Sequence, residues 1–86
     1  MKTYFHRGFN KQLGRLPFKI KEAFVQRLNI FINNPHDPIL NLHKLKGSLT
    51  GRYSLNITGD YRAVISLTEE LAVFHKIGTH NELYNK

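Results

Sequence analysis

The chain has 86 residues, 41% hydrophobic and 12% aromatic, enough for one small domain over residues 1–86. It has no cysteine, which excludes a disulfide framework, thiolate zinc sites, iron–sulfur clusters and a cysteine nucleophile, and fits a reducing compartment. Thirteen Lys and Arg against six Asp and Glu leave +7, and residues 1–50 hold the whole excess, since 51–86 carry four of each sign.

Such a field attracts polyanions, nucleic acid first among them; the alternative is a basic domain whose lysines only keep it in solution. The opening Met-Lys-Thr-Tyr-Phe-His-Arg-Gly-Phe-Asn-Lys-Gln holds no long apolar run. No segment approaches the about 18 apolar residues of a membrane span. The expectation is a cytoplasmic protein without a signal peptide.

Residues 2–6 are rich in strand formers and read as a short first strand. From Phe9 the period changes, with Phe9, Leu13 and Leu16 on one helical face until Pro17. A proline ends one helix and is tolerated at the first position of the next. Beyond it Ile20, Phe24, Leu28 and Phe31 repeat at helical spacing, flanked by Val25 and Ile32, so a helical hairpin is predicted.

Asn34-Pro35 and Asp37-Pro38 break that pattern, and a loop anchored by Ile39, Leu42 and Leu45 runs to Gly47. After Gly51 the period is two. Tyr53, Leu55 and Ile57 alternate with Arg52, Ser54 and Asn56. Turns at Thr58-Gly59-Asp60 and Thr68-Glu69-Glu70 then separate strands Tyr61 to Leu67 and Leu71 to Ile77, an antiparallel meander. The order β-α-α-β-β-β makes an α+β domain with the helices on one sheet face. Nothing is left to cover the other face, which is where function is expected.

No Walker loop, dinucleotide fingerprint, nucleophile elbow or HExxH occurs, and the five histidines show no metal spacing within one element. No metal or cofactor is expected, although a zinc site assembled from distant segments stays open. His75 alternates with Val73 and Ile77 and reads as a packed strand residue. Thr79 and Glu82 have the spacing of a capping box, so a short helix begins there with His80 in its first turn. The positive end of a helix favours a neutral imidazole, and its free amides suit a phosphate. That combination fits a general base on RNA, where a 2′-hydroxyl must lose its proton. The plain alternative is a C-terminal cap with a surface histidine. Arg62 either braces phosphate oxygens or pairs with Asp60 or Glu69.

His-Lys-Leu-Lys-Gly (43–47), Gly-Arg-Tyr-Ser (51–54), Gly-Asp-Tyr-Arg (59–62) and Ile-Gly-Thr-His-Asn-Glu-Leu-Tyr (77–84) together resemble the RelE/ParE toxin superfamily, and its YafQ-like branch most closely. The resemblance covers nearly the whole chain and implies a RelE-like fold. It implies a ribosome-dependent endoribonuclease that cuts mRNA and is silenced by a cognate antitoxin, here expected to be acidic. A toxin–antitoxin complex of this kind binds operator DNA through the antitoxin. His43 and His80 would supply acid–base catalysis, Asp60 would match a YafQ-like carboxylate, and Arg62 would match the phosphate-stabilising arginine of the RelE branch. Lys44, Lys46, Arg52, Tyr61 and Tyr84 would contact RNA, Tyr84 by stacking on a base.

One position departs from the pattern. Asn56 stands where YafQ-like toxins place a further histidine, and an amide cannot exchange a proton near neutrality. A gyrase-directed toxin of ParE type and a non-catalytic member kept for antitoxin binding are therefore the alternative readings.

Overall fold

The computed structural model describes residues 1–84. Its elements are β1 (Lys2–Phe5), α1 (Arg7–Gly14), α2 (Phe18–Asn33), β2 (His43–Lys44), β3 (Tyr53–Asn56), β4 (Tyr61–Leu67), β5 (Leu71–Thr79) and α3 (His80–Tyr84), with 3-10 turns at Pro38–Leu40 and Gly47–Leu49. The strands form one sheet in the order β1-β5-β4-β3-β2. β1 runs parallel to β5, and the other pairs are antiparallel. The α+β class, the helical hairpin and the mainly antiparallel sheet are as the sequence predicts.

Alternation along the strands sends Leu55, Ala63, Ile65 and Phe74 to one face, where Phe9, Phe24 and Phe31 of the helices close over them. Phe74 is the hub. Its ring lies 5.0 Å from Phe5, 5.5 Å from Phe9, and 5.9 Å from both Phe24 and Phe31, mostly edge-on. Each such pair adds about 0.5–1.5 kcal/mol to the burial of the rings. Polar clips finish the joint. Gln12 Oε1 accepts the Ile77 N–H at 3.0 Å, an amide that lies past the end of β1 and lacks a strand partner there. Arg27 Nη1 donates to the carbonyls of Ile39 (3.1 Å) and Asn56 (3.4 Å), tying α2 to the following loop and to β3.

The structure corrects the sequence reading at several boundaries. α1 starts at Arg7, before Phe9, because the His6 ring caps it by accepting the Gly8 N–H at 3.2 Å. Pro17 is the cap of α2 rather than its first helical residue. The loop before Gly47 contains β2, a pair too short to show any period, whose His43 lies opposite Ser54 and Lys44 opposite Tyr53. β5 continues two residues past Ile77, since Gly78 pairs with Arg62 and Thr79 with Tyr61. The second sheet face is also not bare. α3 folds back across one end of it, and Ser54, Val64 and Gly78 are buried although they point away from the α1–α2 hairpin.

A β-bulge reshapes this second face. Val64 pairs with Lys76 and Ile65 with Phe74, leaving His75 as the extra residue of β5. Ile77 stays in the core, so His75 does not share its face, contrary to the simple alternation expected. His75 and Lys76 both project from the face opposite the helices.

Candidate functional site

Where β2, β3, β4 and α3 meet on that face lies a hollow of about 470 Å³. His43, Lys46, Ser54, Arg62, Lys76, His80 and Tyr84 are among its lining residues, and among the described residues no carboxylate lines it. His43 arrives through its register opposite Ser54, on the open face. Asn41 prepares it. This residue adopts a left-handed conformation (φ 44°), and its carbonyl accepts from His43 Nδ1 at 2.7 Å. A carbonyl only accepts, so Nδ1 carries the hydrogen and the neutral ring keeps its lone pair on Nε2. Gly47, at φ +68°, turns the chain behind Lys46 in a conformation that other residues adopt at a cost.

His80 is set by the capping box that the sequence predicts. Thr79 N–H donates to Glu82 Oε1 at 2.8 Å, and Glu82 N–H donates to Thr79 Oγ1 at 3.2 Å. Gly78 makes room for it, since a Cβ there would stand 3.0 Å from Glu82 Oε1. The His80 N–H donates to the Asp60 carbonyl at 3.0 Å, fixing α3 to the β3–β4 turn. The His80 ring lies 4.8 Å from that of Tyr84 in a T-shaped pair, and the Tyr84 hydroxyl donates to the buried Ser54 Oγ at 2.9 Å. Tyr84 is thus a latch holding α3 on the sheet as well as a wall of the hollow.

Arg62 meets neither of the two carboxylates considered for it. Its Nη1 donates to the carbonyls of Thr58 (2.9 Å), Gly59 (3.0 Å) and Tyr61 (3.3 Å), which hold the guanidinium at the hollow. Among the described residues the cation is positioned by carbonyl dipoles and meets no carboxylate. Beside it Asn56, its register partner, keeps a buried Oδ1 with no hydrogen-bond donor.

Four residues singled out in the sequence lie outside the hollow. Asp60 is exposed on the turn and reaches the site through its carbonyl alone. Tyr61 packs against the core because odd-numbered residues of β4 face the helices. Lys44, opposite Tyr53, falls on that same side of the sheet. Arg52 lies on the open face but further along it, near His75. Conversely, sequence reasoning missed Lys76, which only the bulge turns toward the site, and Ser54, whose burial depends on α3. Among the described residues no group of three or more His, Asp or Glu is placed to hold a metal ion.

No protein-family model matches the chain, and no curated protein matches it in sequence. Solved structures do. YafQ from E. coli strain BL21(DE3) superposes with a TM-score of 0.83 at 20% identity, over 98% of both chains. The chain has the RelE/YafQ toxin fold. The fold recurs in the RelBE2 toxin–antitoxin complex from Mycobacterium tuberculosis (TM-score 0.76, 21% identity, 92% of this chain and 96% of that one). It recurs again in the E. coli DinJ–YafQ complex (TM-score 0.72, 23% identity, 98% of both chains). In the RelE/YafQ fold described here, α3 and the loop carrying β2 are the two pieces that shape the hollow on the open face.

Proposed function

We propose that this protein is the toxin of a toxin–antitoxin pair and cleaves mRNA on the ribosome from the hollow on its open sheet face. The observation that carries the reading is the meeting of His43 and His80, far apart in sequence, with Arg62, Lys46 and Lys76 around one cavity that no carboxylate of the described residues lines. Two imidazoles among cations suit the transfer of protons at a phosphodiester.

In this mechanism His43 is the base. Its Nδ1–H is held by Asn41, and its Nε2 lone pair takes the proton of the 2′-hydroxyl. The 2′-oxygen bonds to the adjacent phosphorus and the bond from phosphorus to the 5′-oxygen breaks, with His80 giving a proton to that oxygen. His80 is the acid here, not the base its place in the capping box suggested, since the Thr79 and His80 amides are already bonded to Glu82 and Asp60. The products are a 2′,3′-cyclic phosphate and a free 5′-hydroxyl. Arg62, Lys46 and Lys76 oppose the extra negative charge of the transition state, each well-aimed donor being worth up to about 10²–10³ in rate. Tyr84 offers its ring to a base, while Asn56 takes no part in proton transfer.

The partner is an antitoxin with an acidic segment, suited to a +7 surface. The RelBE2 and DinJ–YafQ structures, which pair the same fold with an antitoxin, support this. The decisive experiment is expression without the partner, with cleavage sites mapped by primer extension on a translated mRNA. Growth arrest with cleavage that disappears in His43→Ala and His80→Ala is the expected result. Arrest accompanied by DNA damage signalling and intact mRNA would replace this reading with gyrase inhibition, and normal growth would replace it with a non-catalytic binding module.

A further inference from the structure

Beyond the hollow, the open face carries a second polar group that the cleavage chemistry does not use. The bulge at His75 sends two successive β5 residues outward, so Lys76 reaches the hollow while His75 continues the row away from it. His75 Nε2 is hydrogen-bonded to Ser66 Oγ at 2.9 Å, and its ring lies 6.3 Å from that of His6 at the end of β1. Among the described residues the charged and titratable groups acting on His75 are Arg52, His6 and Lys76; all are cationic or become so, and no carboxylate is among them. Protein cations crowded together without a counter-charge are stabilised by an anion from outside.

We propose that His6, Arg52, Ser66 and His75 form a second phosphate site, which takes a backbone phosphate of the RNA strand where it leaves the catalytic hollow. His6, Arg52 and the Ser66–His75 pair each have a donor to offer, since the bond within that pair uses only one of its hydrogens. His6 accepts the Gly8 N–H at Nδ1, so in the neutral ring the hydrogen sits on Nε2, free to donate. Arg52 brings the planar fork that suits phosphate oxygens. Lys76 joins this site to the hollow, so a strand crossing the face meets positive charge throughout. An anion bound here also favours the protonated form of His75, which burial and its cationic neighbours otherwise disfavour. Phosphate binding therefore strengthens as the pH falls.

RNA as the ligand rests on the nuclease reading, but the phosphate chemistry does not. Inorganic phosphate titrated into isotope-labelled full-length protein tests the chemistry, with the imidazole signals of His6 and His75 as the readout. Saturable shifts are expected at both rings, with the titration of His75 moving to higher pH. Arg52→Ala should weaken the response about tenfold, the order of one lost charge-assisted contact. Arg52→Gln, which keeps the stem packed, serves if the first variant folds poorly. Rings that do not respond, or that respond equally in the Arg52 variants, overturn the site. A second titration uses a short RNA protected by 2′-O-methyl groups. It should give the same shifts in His80→Ala protein, and a response to phosphate without one to this RNA overturns the RNA assignment. Loss of mRNA cleavage as a function, with the phosphate shifts intact, would strike the nuclease reading alone.

Discussion

His43 owes its orientation to a neighbour two residues away. Asn41 in its left-handed conformation aims a carbonyl at Nδ1, so one hydrogen bond selects the tautomer and orients the ring. His43→Ala and His80→Ala are each expected to lower cleavage by about 10²–10⁴-fold while leaving antitoxin binding intact, measured by single-turnover cleavage on programmed ribosomes and by pull-down. Asn56→His tests the departure from the YafQ-like pattern. If proton transfer runs through His43 and His80, its effect on cleavage is small beside theirs in the same assay. His75 has a signature in stability rather than catalysis. Burial first, then Arg52, His6 and Lys76, lower its proton affinity below the ordinary 6.5. From 6.5 down to the folded-state value the unfolded chain binds more protons than the folded one, so the contribution is complete above 6.5 and fades as pH falls. Urea midpoints measured across this range should drop more steeply for the native protein than for His75→Gln.

At the scale of elements, α3 is the part that local physics specifies most strongly, because a reciprocal capping box and a glycine lie within five residues. Thr79→Val removes the hydroxyl acceptor and should cost about 1 kcal/mol, read from denaturant unfolding. Gly78→Ala should also lower activity by pressing a methyl group on Glu82 Oε1, which is already bonded to Thr79. On the other face the hairpin depends on Phe74, and Phe74→Ala should cost about 3–5 kcal/mol in the same measurement. That substitution acts on stability, with the histidines still in place on the opposite side of the sheet. The capping box and the apolar periods of both helices are plain in the sequence because they are local and repeat. β2 and the bulge are not. Two residues have no period, and a bulge is a mismatch between strands that neither strand shows alone.

For the molecule as a whole, the two sheet faces divide the work. One buries aromatic rings beneath the hairpin, and the other gathers His43, Arg62, Lys76 and His80, with His6 and His75 further along. No helix among the described residues is long and apolar enough to cross a membrane. With +7 on so small a body, RNA binding should fall steeply with salt, about in proportion to the number of phosphates neutralised. Arg52→Ala should reduce the slope of log affinity against log salt by about one, measured with the protected RNA.

The amino-acid order alone settled the main helices and strands, the hairpin, the capping of α3 and the charge, since each depends on residue type or on spacing within one segment, whereas His43 and His80 became a candidate pair through the family resemblance. Only the tertiary structure decided which side chains share the hollow. It excluded the side chains of Tyr61 and Asp60, brought in Lys76 and Ser54, and placed Arg52 beside His75. Those outcomes depend on strand register and on a bulge, and register is a relation between segments that no single stretch of chain contains.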